Sequence, residues 1–130
     1  MCMKTGSKIT GNPNLIFYRH AEVDPNTGQP SSQSFCPMPK DNCCLSLDAG
    51  NKTSAQNAYN LFIANGYRAD STWAISLQEF NNERIDVWDD SQHNNSAHSV
   101  ADYSIFNKSQ QKSISRRLKD KAIGRGRQYP

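Results

Sequence analysis

The chain has 130 residues, with 15 Lys or Arg, 12 Asp or Glu and a formal net charge of +3. That length suits one domain, and the sequence holds no apolar run long enough to cross a bilayer as a helix. The small net charge hides a division: residues 108–130 carry eight Lys or Arg against Asp120, net +7, while residues 70–102 carry seven carboxylates against Arg84, net −6.

Residues 1–13 read as a flexible lead-in without the apolar core of a signal peptide, so a cytoplasmic location is expected. Leu15-Ile16-Phe17-Tyr18 is an apolar run of strand length that ends at Arg19-His20. Residues 21–42 hold Pro25, Gly28, Pro30, Pro37 and Pro39 and read as one long loop, the kind of segment on which sites are often built. Cys43-Cys44-Leu45-Ser46-Leu47 is a second strand. The four cysteines, Cys2, Cys36, Cys43 and Cys44, lack the separated spacing of a secreted framework and are expected as free thiols. A Cys36–Cys43 or Cys36–Cys44 bridge stays open on oxidation.

Thr53-Ser54-Ala55-Gln56 has the form of a capping box, Thr53 capping and Gln56 reaching back. Ala55, Ala58, Tyr59 and Phe62 then define one helical face, closed by Gly66 with Tyr67 packing back beneath it. Residues 71–75 read as a strand, and Ser76-Leu77-Gln78-Glu79 as a second capping box opening a short helix. Residues 85–88 and 98–104 supply further strands, separated by a polar loop. A last helix, capped by Asn107 or Ser109, carries Ile114, Leu118 and Ala122 as a narrow apolar stripe and stops near Gly124. The order predicts a single α+β domain over 14–130: a four- or five-stranded mixed or antiparallel sheet, two main helices and one short one.

Four constellations bear on function. Cys36, Cys43, Cys44, His20, His93 and His98 are zinc-ligand types, but no C-x2-C pair occurs, and half-buried thiols with surface histidines explain them more simply. A Cys36 nucleophile lacks any local partner, and Asp89-Asp90 reads as a solvated acidic pair. No cofactor or metal is expected. Arg19 and His20 at a strand end beside Ser31, Ser32 and Ser34 are groups suited to holding phosphate, as in nucleotide-handling or ADP-ribosyl-transfer folds. If the chain is an enzyme, Arg19, His20, Ser32 and His98 are the candidates. Finally, Lys112, Arg116, Arg117, Lys119, Lys121, Arg125 and Arg127 form a basic C-terminal segment suited to an acidic protein or nucleic acid. The bland alternative is that this segment meets the chain's own acidic 70–102 region.

Several stretches together resemble a family of small bacterial proteins with no assigned activity. They are Tyr18-Arg19-His20, Ser31-Ser32-Gln33-Ser34-Phe35 with Pro37, Leu45-Ser46 with Asp48 and Gly50, Thr53-Ser54-Ala55 with Tyr59, Ala97-His98, and Gly126-Arg127-Gln128-Tyr129-Pro130. The resemblance implies a bacterial or phage origin and a single domain, and it points to Arg19, His20, Ser32 and His98 as one surface. It implies no catalytic residue, and the cysteines lie outside it. The expected function is a small interaction protein without catalysis, accessory or immunity-type in a bacterial conflict system. Its basic tail would meet an acidic protein or nucleic acid, or its acidic 70–102 region a basic protein. Nucleotide-handling catalysis and nucleic-acid binding by the last helix are the alternatives.

Overall fold

The computed structural model describes residues 2–130. Strands β1 (Ile16–Ala21), β2 (Cys44–Ala49), β3 (Ser71–Ser76), β4 (Asp86–Asp89) and β5 (His98–Asp102) form one antiparallel sheet in the order β3-β1-β2-β5-β4. Helices α1 (Ala55–Ala64), α2 (Leu77–Asn82) and α3 (Lys108–Arg125) complete an α+β domain.

Residues paired across an antiparallel ladder share a face of the sheet, so the register sorts the side chains. Phe17 lies opposite Ile75 and Ala49, and Ala101 opposite Leu45 and Val87. This face receives Ile114, Leu118 and Ala122 from α3 with Leu77 and Phe80 from α2, and forms the main core. Burying Ile114 and Leu118 contributes about 1.5–3 kcal/mol each. The opposite face is thinner: Tyr18 and Ala74 pack with Ala58 of α1.

The caps follow from the sequence with one correction. Ser76 with Glu79 and Asn107 with Gln110 form capping boxes at α2 and α3. At α1, however, Ser54 rather than Thr53 is the cap, accepting from the Asn57 backbone N–H. The Thr53–Gln56 spacing fits a capping box, but Ser ranks above Thr as a cap, and Ser54 takes the position. Gly66 takes φ +90° after α1, and the Phe62 and Tyr67 rings stack at 5.0 Å.

Both outer strands are covered by the chain termini, which blunts edges that would otherwise recruit another chain. Beside β4, Asp89 N–H donates to the Ser7 carbonyl and Ile9 N–H to that of Val87, so residues 7–9 of the expected lead-in lie along the sheet. Beside β3, Thr72 N–H donates to the Tyr129 carbonyl and Gln128 N–H to that of Thr72.

The thiol expectation is corrected. Cys2 and Cys44 are joined in a disulfide, while Cys36 and Cys43 remain free. The N-terminal segment crosses the sheet to reach Cys44, a juxtaposition that spacing along the chain does not reveal. Disulfides persist in oxidising surroundings, so the cysteines no longer favour a reducing compartment. No helix among the described residues is long and apolar enough to cross a membrane.

Within residues 21–42 the chain forms two short 3-10 turns, Ser32–Phe35 and Pro39–Asp41. Phe35 is fully buried, and its carbonyl accepts from the hydroxyls of Tyr103 and Ser115. The long loop is thereby anchored between the sheet and α3.

Candidate functional site

The pleat separates the residues expected to act together. Arg19, opposite Trp73, points to the α3 side, where its Nε donates to the Ser34 carbonyl at 2.7 Å and its Nη1 to the Ser46 carbonyl at 3.0 Å. Burial lowers its pKa, a shift opposed by Tyr103, Asp41 and Asp48. Ser32 sits in the first 3-10 turn on that same side. His20, one residue after Arg19, points to the α1 side, as does His98.

On the α1 side, two imidazole–carboxylate pairs lie in register. His20 contacts Thr72 Oγ1 through Nδ1 at 2.8 Å and Asp48 Oδ2 through Nε2 at 3.0 Å. The other Asp48 oxygen accepts from Asn95 Nδ2 at 2.8 Å. His98, the cross-strand partner of Asp48, meets Asp90 Oδ2 at 2.9 Å, and Asp90 Oδ1 accepts from the Thr5 hydroxyl at 2.6 Å. Burial pushes the Asp48 carboxyl up, but hydrogen bonds from His20 and Asn95 and attraction to both imidazoles outweigh it, leaving the pKa below its ordinary value. Sequence reasoning missed Asp48 and Thr72 as partners of His20, and Asn95 as the second partner of Asp48. Strand pairing brings Asp48 and Thr72 to His20 across 28 and 52 positions of chain, and no local pattern announces that.

Thr72, His20 and Asp48 form a hydroxyl–imidazole–carboxylate chain of the kind that activates a nucleophile. Its surroundings do not suit that chemistry. Thr72 is fully buried, and its backbone N–H and carbonyl are occupied by Tyr129 and Gln128. The His20 ring is covered by Phe62 and Tyr59, at centroid distances of 4.7 and 6.2 Å. Hollows of about 340 and 290 Å³ lie elsewhere, against α3 and Phe106. The arrangement can tie β1, β2, β3 and the 90s loop together through satisfied polar groups. Among the described residues, no group of three His, Cys, Asp or Glu is placed to hold a metal ion. His93 is exposed, and Asp89 is engaged by Lys52 and Ser91.

The basic segment divides into two flanks. Ile114, Leu118 and Ala122 bury one arc of α3. On one side of it Arg117 grips both Glu83 oxygens at 2.8–3.1 Å, and Arg125 donates to Glu79 and to the Ala74 carbonyl. Both acids belong to the 70–102 region, so part of the charge is met internally. Arg127 donates to the Asp70 carbonyl. On the other side Lys108, Lys112, Arg116 and Lys119 share a face spanning about 80° of arc and roughly 16 Å of helix axis. Among the described residues no carboxylate forms an ion pair with any of these four, or with Lys121. Their spacings of four, four and three residues make them mutual neighbours.

No family model, curated protein or solved structure matches this chain. The resemblance to small bacterial proteins therefore adds nothing to the reading of either surface, which rests on the residues themselves.

Proposed function

We propose that this protein is a binding module without catalysis that holds an acidic macromolecular partner against the outer face of α3. The observation that carries the reading is the stripe of Lys108, Lys112, Arg116 and Lys119, four cations with which no carboxylate among the described residues forms an ion pair. Like charges at i and i+4 each destabilise a helix by about 0.2–0.5 kcal/mol. The fold retains two such pairs, Lys108 with Lys112 and Lys112 with Arg116, and sets Lys119 three residues beyond Arg116, while Arg117 and Arg125, on the other flank, are matched to glutamates. A partner that brings negative charge to the stripe offsets that repulsion. The buried Thr72–His20–Asp48 chain contributes to stability in this reading, not to bond-making.

A salt-resolved pull-down tests the proposal. Tagged protein should recover its partner at low ionic strength and progressively less as salt rises, because exposed charge interactions are screened. The triple variant Lys112→Gln, Arg116→Gln, Lys119→Gln should recover none while melting at or slightly above the wild-type temperature, since it also removes the repulsion along the stripe. Recovery indifferent to salt, or equal recovery by the variant, overturns the reading.

A further inference from the structure

We infer that the acidic partner is the phosphate backbone of a nucleic acid, bound along α3 without base readout; this rests on the reading above and names the partner of the same face. Two kinds of polyanion compete for a cationic stripe, an acidic protein and a polyphosphate, and the composition of the face decides between them.

Stable protein interfaces bury apolar or aromatic anchors at their centre and are depleted in Lys. Among the described residues the exposed large apolar ones are Met3, Met38, Ile63, Tyr67 and Ile105, and none of them lies on α3. The stripe is three Lys and one Arg, and the helix surface beside it offers Ser109, Ser113 and the single acid Asp120. Lys, Arg and hydroxyl groups are the side chains that contact phosphate and sugar. The four cations follow one line with about 4.5–6 Å of rise between successive members. A regular line of point charges suits a partner whose charge is itself regular. With no aromatic or amide group in the stripe to read or stack on bases, binding should be indifferent to sequence.

The test measures fluorescence anisotropy of a labelled short DNA duplex, a labelled single-stranded RNA and labelled poly-glutamate against the full chain. Four neutralised phosphates give a slope of about −3.6 for the logarithm of the binding constant against that of salt on duplex, and about −2.8 on a single strand. Between about 50 and 200 mM salt, duplex affinity should fall roughly a hundred-fold. Each of Lys112→Gln and Arg116→Gln should make the duplex slope shallower by about 0.9, with two unrelated duplex sequences bound alike. These positions are exposed and Gln is a good helix former, so the variants keep the fold, as a thermal melt verifies. Binding of poly-glutamate alone overturns the nucleic-acid assignment and leaves the acidic-partner reading standing. A slope unchanged in both variants, or no binding to any probe, overturns the assignment as well, and the pull-down then decides the broader reading.

Discussion

His20 is buried against Phe62 and Tyr59 with both ring nitrogens engaged, and its loss should be felt mainly through what it leaves behind. His20→Ala removes one of the two side chains that satisfy Asp48 inside the sheet, and breaking a buried pair in this way costs about 3 kcal/mol. Urea unfolding should register that loss; a change under about 1 kcal/mol would mean that the network contributes little. The carboxylates define an acid limb. Burial pushes Asp48, Glu79 and Asp102 up, yet His20 with Asn95, Arg125 and Lys4 respectively bring each below its ordinary value. A carboxyl depressed in the folded state contributes stability that is fully present above its unfolded pKa. That contribution is lost as pH falls through the lower folded value. Stability should therefore hold above the ordinary values of 4.5 for Glu and 3.8 for Asp and decline below them. Asp48→Asn should flatten that decline, and an acid limb as steep as the wild type's would remove Asp48 from the account.

Helix α3 presents two chemically distinct arcs, one apolar and one cationic. Its apolar arc completes the core, and this was legible because Ile114, Leu118 and Ala122 repeat at a spacing that only a helix turns to one side. The division of its cations was not legible. Arg116 and Arg117 are adjacent and chemically identical, but one turns toward Glu83 and the other away from it. Which flank meets α2 depends on how α3 lies across the sheet, a tertiary fact. The stripe makes a prediction about stability opposite in sign to that about binding. Lys112→Glu converts two repulsive neighbours, Lys108 and Arg116, into attractive ones, and should stabilise the protein by about 0.5–1 kcal/mol. A rise in Tm of a few degrees with loss of nucleic-acid binding is expected. A fall in Tm would show that the stripe is not under repulsion.

At the scale of the molecule, both ends of the chain cover edges of one sheet, and the N-terminal end is also tied covalently. The Cys2–Cys44 bridge closes a loop with a sequence separation of 42. Closing a loop of that length stabilises by about 2–4 kcal/mol. Lys4 reinforces the tie, pairing with Asp102 at 2.6 Å and lying 5.0 Å from the Trp88 ring centroid. Cys2→Ser should lower the unfolding free energy by about that amount and shift Trp fluorescence as cover over Trp88 loosens. Unchanged stability and emission in the variant would mean that the non-covalent contacts hold the segment alone.

The sequence by itself determined the local elements: the strand and helix segments, the cap of α2, a choice of two for the cap of α3, and the polarity of charge along the chain. Those are set by periodicities and side-chain-to-backbone hydrogen bonds that reach only a few residues. Tertiary structure alone decided that Arg19 and His20 serve opposite faces of the sheet with different partners, that Cys44 meets Cys2, and that four of the basic residues share a face without an ion-pair partner among the described residues. Such outcomes depend on strand order and helix placement. These follow from how the whole apolar surface is buried at once, and no short stretch of residues encodes that sum.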